Sequence, residues 1–232
     1  MKAINHMRRI HRRYLSTILK SGDERKKVIT QRWLDSIVIK EKLCPFAPPV
    51  SREPQLRICI SHGTNHDEIV REIESEAHLL VGNRDEHKID LNDKKDDETG
   101  MEVIEKPETT LVVLDAEKCP SLSDFRDLVH LSWRVQDESI VQHGYEKDLQ
   151  IVLFHPLAKH DTYADEQLQP DAADYTIRSP FPIIHLLREE DVLKAVTSGY
   201  KDLEGLPSRN KAKLRSLGLD VCKERLEACW KQ

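Results

Sequence analysis

Apolar side chains at Ile29, Trp33 and Ile37 fall every four residues, with Leu34 and Val38 beside them. That spacing lines one face of a helix and predicts one over 23–43. Cys44-Pro45 marks its end, because the proline ring keeps the preceding residue out of the α region. The period then drops to two in QLRICIS, 55–61, as in a half-buried strand. HDEIVREIESEAHLLVG, 66–82, returns to helical spacing, with Ile69, Ile73 and Leu80 inward and Gly82 placed to close the helix.

TTLVVLD, 109–115, is nearly continuous in apolar and β-branched residues, the pattern of a strand covered on both faces. Ser121 and Asp124 form a capping-box-like start to a helix that reaches Gln142. LQIVLF, 149–154, is the next strand and stops at His155-Pro156. IIHLLR, 183–188, fits a fourth strand, with Asp191 capping a helix over 192–200. A single helix from Pro180 to Tyr200 is the alternative, but β-branched Ile183 and Ile184 favour the strand. Helices at 208–217 and 219–230 follow, separated by Gly218.

Strands alternating with helices predict an α/β fold. We expect a single-domain sandwich over 23–232, with a sheet of about four strands, mixed or mostly parallel, and flanking helices. Two stretches interrupt the pattern. Residues 83–108 hold ten acids and five bases among 26 positions, too polar to offset their ordering entropy, and predict a flexible surface insertion. Residues 156–182 carry no period, and loops of that length are usually functional or disordered.

Composition narrows the function classes. Only 5% of residues are aromatic, so aliphatic side chains must fill most of the core. No apolar run approaches the roughly 20 residues that span a bilayer, which predicts a soluble protein. A net charge of −5 argues against nucleic-acid binding by phosphate neutralisation. Residues 1–22 nevertheless hold six Lys or Arg and no acid, leaving −11 on the remainder. Met7, Ile10, Tyr14 and Ile18 would line one side of a helix there, with Arg8, Arg9, Arg12 and Arg13 elsewhere. Such a segment fits a mitochondrial or plastid import leader, and equally an ordinary first helix of a cytoplasmic protein. The five cysteines lack a CxxC pair and no secretory signal precedes them, so reduced thiols in an intracellular compartment are expected.

WLDSIVIKEKLCPFA, ETTLVVLD, LQIVLFHP, DYTIRSPFPIIHLLREEDV and PSRNKAKLRSLG occur in that order. In combination they resemble the family known as domain of unknown function 1415, over roughly residues 28 to 218. The resemblance implies an order of motifs but no established reaction. The chain departs from the family pattern at Ile177, where Asn is common, and in LAKHDTYAD after His-Pro. Residues 83–108 read as an addition to it.

Candidate chemistry gathers around RSPFPIIHLLREEDV, 178–192. Arginine near apolar surface is costly unless paired or presented to an anion, so Arg178 and Arg188, with Ser179, are candidates to bind a carboxylate or phosphate. Internal pairing with Asp174, Glu189 or Glu190 is the competing explanation. His155, at a strand's carboxyl end, and His185, within the apolar run, are candidate acid/base groups or else buried core histidines. Cys44 follows a helix C-terminus, where the dipole disfavours a thiolate, and is expected to pack. His62 and His66, and His155 and His160 with nearby acids, are only loose clusters. No HExxH, CxxC pair or EF-hand spacing appears, so the metal signal is weak, no metal ligand is assigned and any cofactor is left open. GxGxxG, GxxxxGK[ST] and GxSxG are also absent.

Two functions fit: an enzyme acting on a small anionic metabolite, or a non-catalytic ligand-binding or assembly protein using the same residues. They differ in geometry, since the enzyme needs His155, Arg178 and His185 to converge on one open pocket. The oligomeric state is not legible. For the leader, residues 1–22 fused to a fluorescent reporter should carry it into mitochondria or plastids; a diffuse cytosolic signal would favour the ordinary helix.

Overall fold

A computed structural model describes residues 22–82, 107–160, 169–197 and 205–231. The basic segment 1–21, most of the charged insertion (83–106), residues 161–168 of the long loop and the expected helix end at 198–200 lie outside the described residues. The four expected strands are present: β1, Leu56–Ile60; β2, Thr109–Val113; β3, Leu149–Phe154; and β4, Ile183–Arg188. They form one mixed sheet in the order β1-β2-β4-β3. β1 and β2 run parallel, whereas β4 is antiparallel to both β2 and β3.

Helices cover both faces. On one lie α1 (22–33, continued by a wider π-helical turn over Leu34–Ile39), α5 (Leu206–Leu217) and α6 (Leu219–Ala228). On the other lie α2 (His66–Val81) and α3 (Phe125–Arg134, continued as a π-helix over Val135–Val141). α4 (Glu189–Thr197) leaves β4 without a connecting loop. This explains the continuous apolar run in β2. Leu111 and Val113 enter the core beneath α1, α5 and α6, while Val112 enters the core beneath α2 and α3. All five β2 residues are buried.

Local signals act largely where the residue types place them. Asn65 caps α2 by accepting the Glu68 amide at 3.0 Å, and Glu68 accepts the Thr64 amide at 2.7 Å. Gly82 closes the helix at φ +73°, a conformation that side chains disfavour. Gly218, at φ +91°, both ends α5 and opens α6. Two expectations need correction. Asp124 alone caps α3, accepting the Arg126 amide at 2.9 Å, because Ser121 is taken into a short 3₁₀ turn, Pro120–Ser123. Asp191 does not start α4 but lies in its first turn, where the Arg188 guanidinium three residues earlier claims its carboxylate at 2.5 Å.

Trp33 ties α1 to the segment that enters β4. Its ring meets Phe154 edge-on at 5.0 Å, and its indole N–H donates to the Arg178 carbonyl at 3.0 Å. Trp33→Phe keeps a ring against Phe154 but leaves that carbonyl without its donor. Loss of a buried partner costs about 1–3 kcal/mol, so urea denaturation should show a drop of that order. An unchanged midpoint would mean that the bond contributes nothing to the tie.

Candidate functional site

The strand directions bring three carboxyl ends to one edge of the sheet. In register, Val113 of β2 and Phe154 of β3 both lie opposite Ile183, the first residue of β4. Ile60 of β1 lies beside Val113. Chain segments emerging there are Ser61–Asn65 after β1, Leu114–Cys119 after β2, His155–Ala158 after β3 and Arg178–Pro182 before β4. Loops at this edge are where an α/β sheet ordinarily presents ligand-binding groups.

His155, Arg178 and Ser179 of the expected set come together here, but each is engaged from within the chain. His155 is 1% exposed. Its Nε2 donates to the Leu122 carbonyl at 2.9 Å, and its Nδ1 accepts the Leu157 amide at 3.0 Å. Burial holds its pKa below the usual histidine value, against the pull of the Leu122 carbonyl. Ser179 is fully buried, with Oγ 2.5 Å from the Phe181 carbonyl. The Arg178 side chain is 15% exposed. Its Nε donates to the Ala158 carbonyl at 3.1 Å, Nη2 lies 3.8 Å from Asp174, and the guanidinium covers the Tyr175 ring at 4.7 Å.

His185 and Arg188 lie elsewhere. His185 sits within β4, opposite Leu111 and Val152, with Nε2 2.6 Å from Thr109 Oγ1. The Thr109 hydroxyl gives its one proton to the Leu186 carbonyl at 3.0 Å, so the imidazole N–H is the donor in their bond. Burial lowers the His185 pKa to about 4. Arg188 stands at the opposite end of β4 from Arg178 and is held by Asp191. The five side chains therefore do not line a single wall.

Other groups occupy the edge instead. Lys26, from α1, reaches Asp115 Oδ2 at 2.5 Å, and Lys118 lies 4.0 Å from the same oxygen. Burial raises the Asp115 pKa, but the Lys26 ammonium and the Glu117 amide outweigh it and hold the carboxyl below its ordinary value. Lys118 Nζ is 2.8 Å from His62 Nδ1, and His62 Nε2 lies 3.4 Å from Asp23. Behind them, Ser61 donates to Glu72 at 2.5 Å, and Glu72 also accepts the His62 amide. Gly63 is needed for this turn, because a Cβ there would sit 2.6 Å from Ile69 Cγ1. His62, Asp23, Lys27, Arg57 and Cys59 help to line a cleft of about 210 Å³. Arg57 is locked there by a bidentate pair with Glu76 at 2.7 and 3.0 Å.

Asp115 is the last residue of one predicted strand and His62 directly follows another, so the strand-end rule that selected His155 also points to them. Lys26 gave no such signal, since only folding brings it to Asp115 across 89 positions. Burial disfavours the thiolate at Cys44 and Cys59. Burial raises Cys44, and burial with the Glu76 carboxylate pushes Cys59 up to about 12. Among the described residues, no helix is long and apolar enough to cross a membrane.

The family model described as a protein of unknown function (DUF1415) matches residues 26–92 and 94–224, most of the chain. No curated protein matches the chain, and no solved structure does.

His185 gives a pH test. An unfolded imidazole titrates near 6.5 and the folded one near 4, so between those values the unfolded chain binds a proton that the folded chain refuses. Stability falls as pH drops through that window. Melting temperatures of His185→Gln should decline less steeply from pH 6.5 to 4 than those of the parent. Equal slopes would place His185 in an ordinary, solvent-reachable environment.

Proposed function

The chain belongs to the DUF1415 family, and we propose that it binds a small anionic metabolite at the carboxyl edge of β1 and β2 and exchanges a proton with it through His62. The observation that carries this reading is the meeting of two ammonium groups on one carboxylate oxygen, Lys26 and Lys118 on Asp115. Lys26 satisfies that oxygen closely. Lys118 stands farther off from it, and one of its three N–H groups points to His62 Nδ1 at 2.8 Å instead. An ammonium whose carboxylate partner stands 4.0 Å away has N–H groups to offer an incoming carboxylate or phosphate.

His62 suits the second role because it is half-exposed and lines the cleft. Asp23 facing Nε2 fixes the tautomer that leaves Nδ1 able to accept a proton. An anion that draws Lys118 toward itself frees Nδ1 beside the bound molecule, which is the geometry general base catalysis needs. His155, Arg178 and Ser179 support the site from below by fixing the loops that meet at this edge.

A second reading has its own support. The buried, internally bonded state of His155 and Arg178 fits a protein whose pocket recognises a ligand without transforming it. In that case the anion would be held by Arg178 once its bond to Ala158 opens.

A thermal-shift screen of carboxylate and phosphate metabolites on the full chain separates the two. A ligand at 100 times its Kd should add about 2.7 kcal/mol to stability. Lys118→Met should abolish the shift, while His62→Gln should retain it and lose any turnover. If Arg178→Lys abolishes the shift and Lys118→Met does not, the anion sits at Arg178 and the His62 assignment fails.

A further inference from the structure

Toward the other end of the sheet, α2 and the turn before β3 bring Glu74, His78 and His143 together. We propose that these three side chains bind a divalent transition-metal ion of the zinc class. Among the described residues this is the group in which three such donors converge, with one ligand atom from each lying within 4.8 Å of the others.

The donor atoms face one another. Glu74 Oε1 is 2.9 Å from His143 Nε2 and 3.5 Å from His78 Nε2. Donors bound tetrahedrally to zinc at about 2.0–2.2 Å are about 3.4 Å apart. Two separations already bracket that value, so small side-chain rotations complete the triangle. The spacing has a simple origin. Glu74 and His78 are four residues apart on a helix and therefore share a face, while Gly144, at φ +70°, turns the chain beside His143.

The surrounding groups orient the ligands. Tyr145 Oη lies 2.7 Å from His78 Nδ1. With Nδ1–H donating to that oxygen, Nε2 carries the free lone pair and presents it to the metal, the outer-shell arrangement that metal-binding histidines ordinarily require. The His143 ring packs edge-on to His78 at 4.6 Å and stacks on Tyr145 at 5.8 Å, which limits its rotation. One carboxylate and two neutral imidazoles form a borderline donor set, suited to zinc rather than to calcium or magnesium. All three side chains are partly exposed, so an ion enters directly from solvent and keeps a water molecule in its fourth position. Bound there, it would join α2 to the turn that starts β3.

The test uses full-length, chelator-treated protein titrated with Zn²⁺ by calorimetry and with Co²⁺ by visible absorption. One high-affinity equivalent is expected, with cobalt bands of low-symmetry nitrogen–oxygen coordination. His78→Ala and His143→Ala should each weaken Zn²⁺ binding at least tenfold and remove those bands, with circular dichroism and melting in the absence of metal unchanged. Because neither histidine is buried, the variants should fold. Parent affinity and spectrum in both variants, or a parent chain that takes up no Zn²⁺, would overturn the site.

Discussion

The double pairing of β4 is the constraint on which the rest of the structure depends. β4 bonds to β2 on one side and to β3 on the other, in both cases antiparallel. Inserted this way, it leaves β1, β2 and β3 pointing the same way, so their carboxyl ends share an edge. The same insertion separates the two ends of RSPFPIIHLLREEDV by the full length of a strand. Arg178 joins the loops at that edge, whereas Arg188 emerges at the other end and turns at once into α4. An arginine at each end of an apolar run looks like two halves of a clamp in one dimension; in a strand it is two separate places.

Polar groups carried into such a fold must find partners, because an unpaired buried donor or acceptor costs more than a hydrogen bond returns. His155 and Ser179 show the outcome for groups fully enclosed, where neighbouring carbonyls and amides meet them. Groups that are only partly enclosed keep contact with solvent as well. Lys118 and His62 are solvent-reachable yet held in contact with each other, with a buried carboxylate 4.0 Å from the first and an acid facing the second. Burial therefore divides the histidines by environment. It lowers the pKa of His155 and His185, whose rings donate to groups of their own chain, and leaves His62 half-exposed along a cleft.

The fold was legible because its signals are local or periodic. Each strand and several helix ends follow from runs such as TTLVV and IIHLLR and from Gly82 and Gly218, whereas the start expected at Ser121 fell instead at Asp124. The mixed pairing was within reach, but the order of the strands was not, since pairing partners depend on packing rather than on pattern. The site was less legible for the same reason. Arg178 gave a sound expectation of cost, and the structure meets that cost with Ala158 and Asp174. That Asp174 would be the partner was one of the pairings its position allowed. Nothing near Lys26 in sequence foretold Asp115, and nothing near Glu74 foretold His143, because each contact is made across tens of residues. The Glu74–His78 spacing on a predicted helix was visible, but two donors at helical spacing carry little without a third.

The acids of α2 show how a charged face takes on structure. In the fold each holds a different neighbour. Glu68 and Glu72 bind the turn after β1, Glu76 is buried against Arg57 of β1, and Glu74 faces His143. Isolated exposed ion pairs contribute little to stability, so the consequence is mainly geometric. One helix fixes the loop that carries His62 and, some turns later, presents Glu74 and His78 to the turn before β3. The spacing along α2 thereby fixes where both candidate sites stand relative to the sheet. Altering the pitch of that helix, for instance with a proline between Glu72 and Glu76, would displace both at once, whereas a change in either loop would displace only its own.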